Sequence, residues 1–274
     1  MSSKAWLPIF RAIAAEVRAA VRPLAGTPQG RRVVGRGAGG DQTIYLDQLA
    51  EDIVVRHLEQ AYRSGFRFHL ISEELGERDF GGSALVLVDP LDGSVNAKIG
   101  LPYYAVVLAV TDGERFADVR LGYVQNLLTG EEFHATAGGG AFRDGAPLQP
   151  GPVGLDGGSI PVVQVDAPTG ASREAAAPIF ARAQKVRQLG SAALNLCYTA
   201  AGGISLQVTP EPVRAFDLAG PLLILREAGG MATDFQGHPT LDVSVRLDSR
   251  TTLLASLSAE LIAYAIQLMK TAVA

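Results

Sequence analysis

Asp89-Pro90-Leu91-Asp92-Gly93-Ser94 follows directly on the apolar run Ala84 to Val88. Consecutive apolar residues suit a buried strand, and that strand is expected to stop at Pro90, since proline has no amide to give to a sheet ladder. Two carboxylates then sit at a strand end. Pro90 stiffens the turn between them, so Asp89 and Asp92 can converge on one cation, with the Leu91 carbonyl as a neutral oxygen ligand. An all-oxygen set of this kind suits Mg²⁺ or Mn²⁺ rather than zinc. Gly93 permits close backbone approach and Ser94 stands where a helix would begin, so the amides of this turn can hold a phosphate beside the cation. Taken alone, the six residues also fit a plain Asp-rich turn with Ser94 as a helix cap.

Other acids occupy comparable positions. Glu73-Glu74 lies just beyond a short strand pattern, Phe68 to Ile71, and Glu73 precedes Asp89 by 16 residues. Phe216-Asp217-Leu218-Ala219-Gly220 places a carboxylate ahead of an apolar helical stretch, Leu222 to Leu225, in which Pro221 is acceptable only near the helix start. Asp47-Gln48 opens a segment whose Leu49, Ile53, Val54 and Leu58 fall at helical spacing. Asp47 and Asp217 also suit simple helix caps or partners of the positive helix end.

Together Glu73-Glu74, Asp89 to Ser94 and Phe216 to Gly220 resemble, in order and spacing, the three metal-binding signatures of the inositol monophosphatase and fructose-1,6-bisphosphatase superfamily. Gly190-Ser191-Ala192-Ala193-Leu194-Asn195-Leu196-Cys197 is similar to its phosphate and polyol contact region. The likeness extends from about Asp41 to the C-terminal helix. The flanks Gly39-Gly40-Asp41 to Asp47 and Val95-Asn96-Ala97 to Leu101-Pro102-Tyr103 most resemble the archaeal-type branch, whose members often act on both fructose 1,6-bisphosphate and inositol phosphates.

The resemblance implies an α+β fold, a layered α-β-α-β-α sandwich, and a phosphomonoester hydrolase using two or three Mg²⁺ ions, with Mn²⁺ as the alternative. It implies Glu73, Asp89 and the Leu91 carbonyl on a first metal, and Asp89, Asp92 and Asp217 on a second. Asp41 is a candidate for a looser third. A water between Glu73 and Ser94 would be the nucleophile, with Ser94 hydrogen-bonded to Asp47 so that Asp47, Glu73 and Ser94 form the catalytic group. The Gly93 and Ser94 amides would hold the phosphate, and Gly190, Ser191 and Ala192 the polyol. One departure concerns substrate: inositol-selective members carry a glutamate seven residues before the counterpart of Asp217, where this chain has Pro210, with Glu211 displaced by one. That makes Arg214 a candidate contact for a second phosphate or a sugar hydroxyl. Fructose 1,6-bisphosphate and inositol 1-phosphate are the favoured substrates; 3′-phosphoadenosine 5′-phosphate, or a non-catalytic sugar-phosphate-binding regulator, are the alternatives.

Composition sets outer bounds. The chain has 274 residues, 47% hydrophobic and 19% charged, enough for one large domain or two modest ones. A net charge of −4 argues against a nucleic-acid surface; the partner that the resemblance implies is a small sugar or polyol phosphate. No apolar run approaches a membrane span and Ala5 to Val21 is interrupted by charges, so a soluble cytoplasmic protein, a homodimer by family resemblance, is expected. The single cysteine, Cys197, sits among apolar residues and suits the core. His57, His69, His134 and His238 show no motif spacing, and Gly35 to Gly40 fits G-x-G-x-x-G without the strand that a dinucleotide site requires.

Along the chain, Pro23 to Asp41 has no hydrophobic period and is expected to be a loop. Helix Asp47 to Arg63 and strands Phe68 to Ile71, Ala84 to Val88, Tyr104 to Val110 and Phe116 to Val124 follow, the last two joined at Asp112-Gly113. The Gly- and Pro-rich stretch Pro147 to Ser159 is the expected boundary between an N-terminal α+β domain, residues 1–152, and a C-terminal α/β domain, residues 153–274.

Overall fold

The structure, a computed structural model, describes residues 5–38 and 42–273. Its elements run α1 (Leu7–Val21), β1 (Val33–Arg36), β2 (Gln42–Ile44), α2 (Tyr45–Arg63), β3 (His69–Ser72), β4 (Gly76–Asp79), β5 (Leu85–Asp92), α3 (Ser94–Ile99), β6 (Ala105–Thr111), β7 (Val119–Asn126), β8 (Glu132–Thr136), β9 (Gly140–Arg143) and β10 (Ala146–Pro147). After an irregular stretch come β11 (Ile160–Val165), α4 (Gly170–Phe180), β12 (Ala183–Arg187), α5 (Ala192–Ala200), β13 (Leu206–Arg214), α6 (Ala215–Glu227), β14 (Met231–Thr233), β15 (Arg250–Ser256) and α7 (Ala259–Val273).

Strands β3 to β10 form one sheet in the order β10-β9-β8-β7-β6-β5-β3-β4, and β11 to β15 a second in the order β12-β11-β13-β15-β14. Alternation along the strands divides the core. On β5, Val86 and Val88 face α1 and α2, while Leu85 and Leu87 face α5 and α6. On β6, Val106, Leu108 and Val110 take the first side and Ala105, Val107 and Ala109 the second. Beyond α5 and α6 lies the second sheet, whose outer face packs on α4 and α7 through Val163, Val208, Ile179 and Leu261. The layers are therefore α-β-α-β-α, the expected sandwich.

The same alternation aims the polar residues at the strand ends. Ile71 faces α6, so Ser72 turns toward α2 and Glu73 back toward α6; Leu87 faces α6, so Asp89 does too. Four local expectations are corrected. β5 does not stop at Pro90: it continues to Asp92 with a register irregularity against β6 between Asp89 and Asp92, a distortion that accommodates the missing amide. α2 begins two residues early, at Tyr45, which moves Asp47 from the helix entrance into its first turn. The stretch Pro23 to Asp41 contains β1, paired antiparallel with β2. Pro221 lies inside α6, where it forgoes the helix bond to the carbonyl four residues back. The neighbouring Gly220 presses on β7, since a Cβ on Gly122 would meet the Gly220 carbonyl oxygen at 2.3 Å. Asp112-Gly113 does join β6 to β7, and Asp144-Gly145 turns between β9 and β10 with positive φ at both residues.

Candidate metal centre and catalytic cleft

Glu73 beyond β3, Asp89 on β5 and Asp217 in the first turn of α6 bring carboxylate oxygens within 4.8 Å of one another. Burial raises the proton affinity of Glu73, and Asp217 raises it further, opposed by Arg214. Asp89, 3% exposed, is pushed well above the usual carboxylate range by its burial and then by Glu73, Asp217 and Asp92. Glu73 and Asp89 lie close enough to interact directly, and the three negative charges repel one another across the group. This donor set, all oxygen, converging and mutually repelling, fits one or more hard divalent cations.

Arg214, the last residue of β13, lies against this group. Its Nη2 is 2.5 Å from Glu73 Oε1 and its Nε donates to Asp217 Oδ2 at 2.9 Å. Burial works against the guanidinium's charge, but Asp217, Glu73 and Asp89 outweigh it and raise its proton affinity.

Asp92 is not in the converging group. Its Oδ1 accepts from the Ala192 amide at 3.2 Å, and its Oδ2 from the Ala193 amide at 3.0 Å and from the Ser191 hydroxyl. Burial raises its proton affinity against these bonds. An anion at the N-terminus of α5 is electrostatically favoured, so Asp92 fastens the second half's helix to the first half's strand. Ser191 is fully buried and its hydroxyl is committed to Asp92 and to capping Leu194, which corrects its expected role as a polyol contact.

The centre opens on two cavities, and Arg214 lines both. One, about 370 Å³, is lined by Asp47, Glu73, Glu74, Pro90, Leu91, Ser94 and Lys98 among others. The other, about 620 Å³, is lined by Asp92, Asp166, Gly190, Ala192, Glu211, Asp217 and Arg250 among others. In the smaller cavity Asp47 Oδ2 accepts from the Ile44 amide at 2.8 Å, a helix-capping bond, while Oδ1 is buried and has no hydrogen-bond partner among the described residues. The expected Ser94–Asp47 hydrogen bond is therefore not formed, although both residues line the same space. Burial pushes Asp47 up to about 7 despite the Ile44 amide, with Glu74 adding to the rise. Gly93 has φ of 83°, and a Cβ there would meet the Tyr103 and Gly190 carbonyl oxygens at 3.0 and 3.1 Å. No larger residue lets the Asp92–Ser94 turn approach the Gly190–Ala192 turn this closely. Asp41 lies outside the described residues.

The inositol monophosphatase family model matches residues 5–270. The chain belongs to the inositol monophosphatase family. Among its relatives, the fructose-1,6-bisphosphatase/inositol-1-monophosphatase of Methanothermobacter thermautotrophicus is 33% identical over 93% of each chain. The enzyme of the same name from Thermococcus kodakarensis is 29% identical over 97% of each. A bifunctional NADP phosphatase/NAD kinase of Methanococcus maripaludis is 26% identical over 89% of this chain but 46% of its own length. The crystal structure of an inositol monophosphatase-fructose 1,6 bisphosphatase superimposes with a TM-score of 0.82, at 27% identity, over 96% of this chain and 99% of the other. The expected superfamily, its archaeal-type branch and its phosphatase class are thus borne out.

Several residues at this family site escaped the sequence. Asp166 ends β11 as Asp89 ends the apolar run of β5, and the same strand-end signal would have found it. It is pushed up to about 6 by burial, opposed by the Asn195 amide, which donates at 3.1 Å. Asn195 in turn accepts from Tyr103 at 3.0 Å. Glu51, one turn along α2 from Asp47, had no motif to mark it. Lys98 and Arg250 had none either. The four histidines each pair with a local acid on other faces, and Cys197 is fully buried. No helix among the described residues is long and apolar enough to cross a membrane.

Proposed function

We propose that this family member hydrolyses the phosphomonoester of a small sugar or polyol phosphate, fructose 1,6-bisphosphate or inositol 1-phosphate, with Mg²⁺ or Mn²⁺ as cofactor. The observation that carries this is the convergence of Glu73, Asp89 and Asp217 at the junction of two cavities, one holding a neutral-range base and the other room for a leaving group. Glu73, Asp89, Asp217 and the Leu91 carbonyl would hold the cations, with Asp92 joining when they bind. Bound cations would supply charge stabilisation to the phosphoryl oxygens and the departing alkoxide.

The chain's own groups account for positioning and proton transfer. A water held between Glu73 and Ser94 attacks phosphorus in line with the ester oxygen. Its proton would pass by way of the Ser94 hydroxyl to Asp47, which burial pushes up to about 7, once the two, which line the same cavity, close the hydrogen bond that this structure does not show; the ester P–O bond breaks and the alkoxide takes a proton from solvent. The turn at Gly93 and Ser94 seats the phosphate, and Gly190 and Ala192 face the polyol. Arg214, Glu211 and Arg250 line the leaving-group side and discriminate between hydroxyl and phosphate substituents.

A second reading, a nucleotide phosphate such as 3′-phosphoadenosine 5′-phosphate or NADP, draws on the size of the larger cavity and on the NADP phosphatase relatives. A non-catalytic regulator has less support, since Asp47, Glu73 and Ser94 all line one cavity. The test is phosphate release from fructose 1,6-bisphosphate, inositol 1-phosphate, 3′-phosphoadenosine 5′-phosphate and NADP, with Mg²⁺ and with chelator. Mg²⁺-dependent release highest in kcat/KM for one of the first two is expected. Release confined to the nucleotides favours the second reading, and binding without release favours the regulator.

A further inference from the structure

Arg214 lies where the converging carboxylates need positive charge. Its guanidinium contacts Glu73 Oε1 and Asp217 Oδ2, on two of the three acids whose carboxylates converge within reach of one cation. The side chain is 18% exposed, the guanidinium carbon lies 5.9 Å from the Phe216 ring centroid, and its backbone is fixed where β13 passes into α6. It lines both cavities. A guanidinium and a divalent ion held at contact distance by the same carboxylates repel each other strongly.

We infer that Arg214 is a built-in counter-cation, which neutralises the empty metal centre, is expelled by divalent ion, and then serves the leaving-group cavity as an anion- or hydroxyl-binding side chain. This rests on the metal-centre reading and adds an order of events. The ion-free protein keeps its acids together at the expense of its substrate-facing arginine. Ion entry releases that arginine next to Gly190 and Ala192, so cation and substrate bind cooperatively, cation first. Such an exchange also holds Glu73 and Asp217 near their final places before the ion arrives, which their mutual repulsion would otherwise oppose.

The test is arginine-directed dicarbonyl labelling of the wild-type protein, read by peptide mass spectrometry, with and without Mg²⁺, alongside calorimetric Mg²⁺ titration of wild type and Arg214→Gln at pH 8.5. Arg63, 78% exposed and paired only at 3.8 Å, is the internal reference. Mg²⁺ is expected to speed labelling of Arg214 at least threefold relative to Arg63, and R214Q to bind Mg²⁺ about tenfold more tightly, within the ordinary range of site coupling. Mg²⁺ that binds yet leaves Arg214 labelling unchanged or slower overturns the exchange and leaves the metal centre standing. Weaker Mg²⁺ binding by R214Q likewise assigns Arg214 to support rather than competition. Absence of Mg²⁺ binding to either protein overturns both. Should R214Q fail to fold, the wild-type labelling decides alone.

Discussion

Two groups of buried carboxylates lie on opposite faces of one sheet, separated by a single step along β3. Glu73 turns toward α6 and joins Asp89 and Asp217, while Ser72 turns toward α2 and donates to Glu51 Oε2 at 2.5 Å, one helical turn from Asp47. The first group has Arg214 within contact distance. The second has hydroxyl and amide donors, but neither Asp47 nor Glu51 has an ion pair among the described residues, and burial pushes both up to about 7. A buried carboxylate without a counter-charge takes up a proton instead, which makes a base that works near neutrality. A buried carboxylate cluster of the first kind has the oxygen donors that a divalent cation takes. The fold separates the two chemistries by the two-residue period of a strand.

The largest break in this comparison is Asp89→Asn. Removing one of the converging charges should weaken the cation's seat and the electrostatic stabilisation together, so kcat is expected to fall at least to the upper end of the roughly hundred- to thousandfold range seen when one stabilising group is lost. Circular dichroism should show the fold intact, because the amide fills the same space without a buried charge. Near-normal turnover would sink the assignment of the metal centre. Asp92→Asn is expected to lose nearly all turnover as well. It should also lower the melting temperature, since Asp92 accepts three bonds from the start of α5.

Asp47→Asn breaks the other group. Loss of a general base costs about a hundred- to ten-thousandfold in kcat, and KM should change little, as Asp47 lines the smaller cavity and not the one proposed for the leaving group. Because a base acts when deprotonated, wild-type kcat should rise with pH through about 7. That limb should be missing from the residual activity of D47N. If the limb persists unchanged, another group is the base.

How much of this the sequence carried depends on distance along the chain. Asp89 to Ser94 is a local motif, so strand, turn and acids could be read together, and the family likeness extended the reading to Asp217 and to the layered fold. Asp47 and Glu73 were legible as acids at element ends. Which face each would take was not, because that depends on parity along β3 and β5 counted from core contacts with α2 and α6. Arg214 is the clearest case. Its charge suggested an anionic substrate, but its partners are Glu73, 141 residues away in sequence, and Asp217, three residues on. Ser191 was read as a ligand contact because the likeness placed it in a contact region, and only its burial against Asp92 shows that its hydroxyl is occupied. The extension of β5 through Pro90 was hidden because a proline at a bulge forgoes its ladder bond without ending the strand.

A smaller effect should appear without any substitution. Asp47, Glu51 and Glu73 all have raised proton affinity in the folded chain, so the folded state holds protons that the unfolded chain releases from about pH 4 upward. Their stabilising contribution is complete below the unfolded value and is lost as pH rises through the folded values. The melting temperature of chelator-treated protein should therefore decline between about pH 5 and pH 8. Mg²⁺ should flatten the part that belongs to Glu73 and leave the part that belongs to Glu51, which lies on the other face of the sheet. A decline that Mg²⁺ removes completely would mean that the two groups titrate as one.

The smallest effect isolates Glu51. Its Oε1 is buried and has no hydrogen-bond partner among the described residues, and the residue is 7% exposed. At pH 8 it must be held as an anion against its burial and the nearby negative charges of Glu74 and Asp52, with the Ser72 hydroxyl and the Glu74 backbone opposing them. Glu51→Gln removes that charge while keeping an oxygen to accept from Ser72. If charge burial is the dominant cost, the variant gains about 1 kcal/mol at pH 8, a rise of about 2–4 °C in melting temperature for a chain of this size. At pH 5, where the native glutamic acid is already neutral, the gain should vanish. Turnover should change less than twofold, because Glu51 reaches the metal centre only through Ser72 and the backbone that follows it. A gain of equal size at both pH values would assign the effect to packing, and a large loss of turnover would show that Glu51 and Asp47 share one proton.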